Sequence, residues 1–233
     1  MEKSILIAII SNNNLEFIKS TILQVQNFDN IDLLIIDDGS DYDILDEIKE
    51  FKFVKSIIHD EGLGYGACLV SAIIFARDLD YKYLITLNPE EPGFVKDIPE
   101  IINNLEYGYD IVTCSRILEN SDYSKIDENL LQFFENLTDY LNKVTELNLT
   151  DPLSEIKGYN ISSTKDIDLT VEDHGVLLQL FVQCAYFGYN IIEIPSESGS
   201  SFGKELELYD TPLETFIAVI ETEKYLYNKG SIN

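Results

Sequence analysis

Five short apolar runs in the first half of the chain constrain its fold more than any other feature. They are "SILIAII" (4–10), Ile31 to Ile36, "FVKSIIH" (53–59), "YKYLITL" (81–87) and "YDIVTCSR" (109–116). Each closes in polar or glycine turn residues. Between them apolar residues recur at helical spacing: Leu15, Ile18, Ile22 and Val25; then Ile44, Leu45, Ile48 and Phe51; then Leu69, Ile73 and Ala76. Asp97-Ile98-Pro99 opens a further helix, with proline in the first turn. A strand buried on both faces reads as a continuous apolar run. The alternation therefore predicts an α/β fold, a mostly parallel sheet with helices on both faces. Sheets of this kind bind ligands at the carboxyl ends of their strands. Four polar clusters fall there: Ser11–Asn14, Asp37–Ser40, Asp60–Gly66 and Asn88–Glu91.

The second half is less regular. Ile126, Leu130, Phe133, Phe134, Leu137, Leu141 and Val144 mark an amphipathic helix. "TDPLSEIKGYNIS" reads as a turn and a short strand. Val176 to Phe187 reads as an apolar helix ended by Gly188, and "YNIIEIP" as a strand. Thr211-Pro212-Leu213-Glu214 forms a capping box that starts a last helix, with Phe216, Ile217, Ile220 and Leu226 on its inner face. No repeat or linker interrupts the 233 residues, so one domain over 1–233 is expected.

Charge argues against a nucleic-acid partner. Sixteen Lys and Arg face 42 Asp and Glu, a net charge of −26. A field of that sign repels nucleic acid and anionic lipid. A phosphate ligand would need N–H groups, a cation or a local basic spot. No apolar run is long enough for a transmembrane segment, and "MEKSILIAII" lacks the pattern of a signal peptide; a cytoplasmic location is expected. Cys68, Cys114 and Cys184 are odd in number and have no CxxC spacing, which suits buried reduced thiols.

Three stretches carry possible chemistry. In "LLIIDDGSDYD", Asp37 and Asp38 end a strand and Gly39 allows a sharp turn; the pair suits recognition of base or ribose donors, and helix capping is the competing use. "HDEGLGYGAC" is a glycine-rich loop leading into a helix, which suits close approach to an anion or simple packing of helix on strand. It also fits G-x-G-x-x-A, but that fingerprint belongs after a first strand, and the acid expected at the next strand end is Asn88. "LITLNPEEPG" ends a strand in an acidic turn, open to two readings: a metal site or a capped turn. His59 closes a strand and suits a structural role. His174 is either a helix-entry residue or a base.

Taken together, "ILIAIISNNNLEFIKSTI", "LLIIDDGSDYD", "HDEGLGYGACLVSAIIFA", "YLITLNPEEPGFVKDIPEII" and "YDIVTCSR" resemble family 2 glycosyltransferases with a GT-A fold. The polyprenol-phosphate (dolichol-phosphate) sugar synthase branch is most similar: "TDPLSEIKGYNIS" resembles its Asp-x-x-Ser-Gly-Phe segment, and "FGYNIIEIPSE" its Gly-Tyr-x-Ile-x-Glu-Val-Pro strand. The resemblance implies a nucleotide-sugar-binding half (1–117) and an acceptor-side half (118–233). It implies a nucleotide-diphospho-sugar donor, with Ser11, Asn13, Asp37, Asp38, Gly39, Gly64 and Gly66 on the nucleotide. Asn88 and Glu90 would hold Mg²⁺ or Mn²⁺, Glu90 and Arg116 would serve catalysis, and Lys204 would bind acceptor or phosphate. The acceptor itself is unknown, a polyprenyl phosphate by analogy.

The sequence departs from the family pattern at several points. Pro-Thr-Tyr-Asn-Glu becomes Ile10-Ser11-Asn12-Asn13-Asn14, Asp-x-Asp becomes Asn88-Pro89-Glu90, Ser-Gly-Phe becomes Ser154-Glu155-Ile156, and a helical Glu becomes Gln179. These changes leave an alternative from another class: a catalytically silent GT-A domain that binds a ligand or partner.

Overall fold

A computed structural model describes residues 5–28, 30–87, 94–118, 128–196 and 211–230. Its elements run Ile5–Ser11 (β1), Leu15–Val25 (α1), Ile31–Asp38 (β2), Ile44–Ile48 (α2), Val54–His59 (β3), Tyr65–Asp78 (α3) and Tyr83–Leu87 (β4). They continue with Ile98–Tyr107 (α4), Ile111–Ser115 (β5), Glu128–Thr145 (α5), Lys157–Asn160 (β6), Val176–Phe187 (α6), Ile191–Pro195 (β7) and Leu213–Gly230 (α7). One seven-stranded sheet has the order β3-β2-β1-β4-β6-β5-β7.

The apolar runs form strands because helices cover both faces. Along β1, Leu6 and Ala8 point into one core, with residues of α3, α5, α6 and α7. Ile5, Ile7 and Ile9 point into the other, with Ile18 and Ile22 of α1, Ile44 of α2 and Ile98 and Ile101 of α4. Burying each such side chain favours the fold by about 1.5–3 kcal/mol. The β1, β2, β3 and β4 ladders are parallel. β6 departs from the rule: it runs antiparallel between β4 and β5, and β7 then pairs parallel with β5. The sheet therefore continues unbroken from the first half of the chain into the second.

The caps refine the sequence reading. Asp43 caps α2, accepting from the N–H groups of Leu45 at 3.0 Å and Asp46 at 3.4 Å. Asp37 and Asp38 are thus released from capping. Gly188 ends α6 in the left-handed region (φ +71°). Asp97 precedes α4 without a side-chain cap bond; its carboxylate accepts instead from Ser196 Oγ at 2.6 Å. On α7 the inward face runs through Phe216, Ile220 and Glu223, while Leu226 is exposed. Helical geometry explains the correction, since 216, 220, 223 and 227 share a face and 226 falls outside it. Glu223 is tolerated inside because Gln179 and Gln183 of α6 donate to its two oxygens at 3.0 and 2.6 Å.

Candidate active site

The carboxyl ends of β1, β2 and β3 bring Ser11, Asp37, Asp38 and His59 to one edge. Ser11 and Asp37 are paired in the β1–β2 register, as are Asp38 and His59 across β2–β3. The Ser11 hydroxyl is buried and has no hydrogen-bond partner among the described residues. Asp37 Oδ1 accepts from the backbone N–H of Ser40 at 3.3 Å and from its hydroxyl, a turn that Gly39 (φ +74°) makes possible. A Cβ at Gly39 would lie 2.6 Å from Gly62 N. Asn13, itself left-handed (φ +58°), locks onto the same turn. Its N–H donates to Ser40 Oγ and its Oδ1 accepts from Asp41 N–H, both at 2.8 Å.

Asp38 joins this turn to the glycine loop. Its Oδ1 accepts from Leu63 N–H at 2.9 Å and from His59 Nδ1 at 2.8 Å, and its Oδ2 from Gly64 N–H at 2.9 Å. Asn12 Nδ2 donates to its carbonyl oxygen at 2.6 Å. Burial pushes the carboxyl up, but the bonds from His59, Leu63 and Gly64 outweigh it and hold the pKa below the ordinary 3.8. His59 also reaches α3; its Nε2 meets Ser71 Oγ at 3.2 Å.

The glycine loop is not open to an anion at every N–H. Leu63 and Gly64 donate to Asp38, and Gly66 donates to the carbonyl oxygen of Glu172 at 2.7 Å. These three N–H groups therefore serve packing within the chain. Gly64 (φ +96°) has no room for a Cβ, which would sit 2.5 Å from Glu172 O. Leu63, Gly64, Thr170, Glu172 and Asp173 line an open cleft of about 460 Å³ beside Asp38. The 170–173 segment escaped the sequence reading because its role is carried by backbone carbonyls. It is held in turn by Gln179 Oε1, which accepts from the N–H groups of Thr170 at 2.9 Å and Val171 at 3.1 Å.

His174 sits at the entry to α6, as expected, and also makes a side-chain pair. Its Nε2 is 2.8 Å from Glu155 Oε1, and its ring stacks on Tyr65 with centroids 5.0 Å apart. The Glu155 carbonyl oxygen accepts from Thr86 Oγ1 of β4 at 2.8 Å. This pair therefore borders β4. Asn88, Glu90 and Lys204 lie outside the described residues.

Arg116 follows β5 and is almost wholly buried. Its Nε and Nη2 donate to Asp151 Oδ2 and Oδ1 at 2.7 and 2.8 Å, and its backbone N–H adds a third bond at 3.0 Å. Burial pushes the Asp151 carboxyl up, but the Arg116 charge beside it prevails and lowers it. Lys157 of β6 is buried in the same cluster, donates to the Ser154 carbonyl oxygen, and lies 5.1 Å from the Phe181 ring centroid. Glu193 of β7 orients the preceding turn, accepting from the N–H groups of Thr150 and Asp151, each at 2.8 Å. Sequence alone singled out Arg116 and placed Asp151 in an Asp-x-x-Ser segment, but did not pair the two.

Comparison with known proteins gives this architecture a family. The family model described as glycosyl transferase family 2 matches residues 6–167. A dolichyl-phosphate hexose transferase of Haloferax volcanii is 26% identical over 159 residues, 68% of this chain and 66% of that protein, just under two thirds of its length. Glucosyl-3-phosphoglycerate synthase from Mycobacterium tuberculosis superposes with a TM-score of 0.72 at 15% identity, over 95% of this chain and 80% of that one. A mannosyltransferase from Pyrobaculum calidifontis, solved with GDP-Man and Mn²⁺, gives 0.56 at 12% identity, over 84% and 55%. At such identities the two structures establish the fold, that of GT-A nucleotide-diphospho-sugar transferases. With the family model matching more than half of its length, the chain belongs to glycosyl transferase family 2.

Proposed function

We propose that the chain transfers a sugar from a nucleotide-diphospho-sugar to an acceptor, and that a polyprenyl phosphate is that acceptor. The observation that carries the donor half is the edge at Asp37 and Asp38. It holds an ionised carboxylate, a second acid, and the buried hydroxyl of Ser11, unpartnered among the described residues, all at the strand ends where such sheets bind ligands. The acceptor half rests on the name of the Haloferax relative. An acceptor phosphate is already ionised, so the reaction as proposed assigns no base. The silent-domain alternative finds no favour in family membership or in that relative.

Asp38 and Asp37 read the base in this proposal, with Ser11, Asn13, Gly39, Gly64 and Gly66 shaping the nucleotide side of the cleft. Asn88 and Glu90 offer a neutral carbonyl oxygen and a carboxylate. These hard donors suit Mg²⁺ or Mn²⁺ with the remaining positions left to phosphate and water. The cation would neutralise charge on the departing nucleotide diphosphate. Glu90 serves catalysis through that role, and Lys204 meets acceptor or phosphate. Arg116 is a positioning residue, because its guanidinium is committed to Asp151. We infer that 1–233 works as one domain, the 1–117 and 118–233 halves sharing one sheet. No helix among the described residues is long and apolar enough to cross a membrane. Three buried free thiols suit a cytoplasmic, reducing setting.

The test is turnover. UDP- and GDP-hexoses with Mn²⁺ and a short-chain polyprenyl phosphate should yield labelled product in the organic phase, and chelation should abolish it. Release of no nucleotide diphosphate from any donor would overturn the proposal.

A further inference from the structure

Behind the nucleotide edge, three potential metal-ligating atoms meet at one point. Asp38 ends β2, His59 ends β3, and Cys68 lies in the first turn of α3. His59 Nδ1 is 2.8 Å from Asp38 Oδ1 and 3.7 Å from Cys68 Sγ, and the three atoms lie within 4.8 Å of one another. Carboxylate, imidazole and thiolate together form the ligand set of a borderline-soft cation such as Zn²⁺; Mg²⁺ does not select sulfur.

Hydrogen bonding alone would also bring such groups together, so the surroundings matter. Two of the three potential ligands, His59 and Asp38, are already braced from behind. Ser71 Oγ faces the free ring nitrogen of His59, and the N–H groups of Leu63 and Gly64 hold both carboxylate oxygens. Metal-bound histidines and carboxylates are oriented by partners of this kind. The point is closed as well, with His59 and Asp38 side chains 10% and 11% exposed and Cys68 fully buried. Tetrahedral Zn²⁺ bonds of ~2.0–2.3 Å set its nitrogen and sulfur ligands about 3.6 Å apart and its nitrogen and oxygen ligands about 3.3 Å apart. The His59–Cys68 spacing already fits, and the His59–Asp38 spacing needs to open by only about half an ångström.

We propose that Asp38, His59 and Cys68 form a site for a thiophilic divalent cation of the Zn²⁺ class, with a fourth position left to water. The carboxylate only accepts, so Nδ1 carries the ring proton without metal. On binding, the cation replaces that proton, which passes to Nε2 and is donated to Ser71 Oγ. The Cys68 thiol loses its proton to solvent, so one proton is released per cation. The site shares Asp38 with the proposed nucleotide edge, but it draws on neither Asn88 nor Glu90, and its test does not depend on the proposed sugar transfer.

Co²⁺ titration of the full reduced chain tests it, read by thiolate-to-cobalt charge transfer in the near ultraviolet. About one equivalent should produce the band, and Zn²⁺ should displace it. Cys68→Ser should lose it, and Ser71→Ala should weaken binding roughly ten-fold. With a net charge of −26, oxygen-only binding to surface acids is expected, but it gives no such band. No band in the wild type, or a band unchanged in Cys68→Ser, overturns the site. Circular dichroism checks the fold of each variant, and His59→Gln serves as the second probe should Cys68→Ser fail to fold.

Discussion

The N–H of Gly64 donates to Asp38 Oδ2 at 2.9 Å, and through this bond the end of β2 and the glycine loop are a single piece. The same loop is fastened on its other side to Glu172. Asp38, the loop and the cleft wall are therefore joined by one chain of hydrogen bonds.

Substitutions in that loop should separate sharply. A Cβ at Gly66 would fall 2.0 Å from the carbonyl oxygen of Val171, whereas one at Gly62 would make ordinary contact at 3.5 Å with Asp38 O. Gly66→Ala should cost more than about 2 kcal/mol in chemical denaturation, and Gly62→Ala less than about 1 kcal/mol. Equal effects would contradict the packing described.

The buried ion pair beside β5 gives a second expectation. Asp151→Asn leaves the Arg116 guanidinium buried opposite a neutral group, which should destabilise the chain by about 3–5 kcal/mol. Arg116→Lys should not restore wild-type stability, because an ammonium cannot span both carboxylate oxygens. Urea midpoints of both variants check this.

Lys157 predicts a pH dependence. Burial pushes its ammonium down to about 8 from 10.5, with Asp151 opposing. Between those values the unfolded chain binds the proton that the folded chain has released, so this group's contribution to stability rises with pH. The advantage of Lys157→Met over wild type should therefore shrink from pH 7 to pH 10, as read by thermal melts. A constant difference would mean that Lys157 titrates normally.

Net charge gives the fourth. At −26 the folded chain repels itself, and salt screens that repulsion over a Debye length of about 10 Å at 0.1 M and 3 Å at 1 M. The melting temperature should rise with NaCl across that range, and a flat or falling curve would contradict the expectation.

Much of this architecture was legible because physical pattern and sequence coincide. Strands covered on both faces, such as Ile5–Ser11 and the Leu33–Ile36 stretch of Ile31–Asp38, read as apolar runs. Asp37 and Asp38 were legible as a pair because they end such a run. What escaped was long-range or polar. β6 is four residues long and carries a buried lysine, so neither its antiparallel course nor its place between β4 and β5 shows in its composition. Glu223 reads as a solvent-facing acid until two glutamine amides are placed against it. The partner of the glycine loop is a backbone carbonyl at Glu172, which no side-chain motif encodes.

Nucleotide binding tests the central claim most directly. Calorimetric titration of the full chain with UDP and GDP, with and without Mn²⁺, should show metal-dependent binding of one nucleotide, weakened at least about ten-fold in Asp38→Asn, a loss of about 1.4 kcal/mol. Asn88→Asp should tighten the metal dependence. Absence of nucleotide binding with or without Mn²⁺, or binding unchanged in Asp38→Asn, would contradict the account.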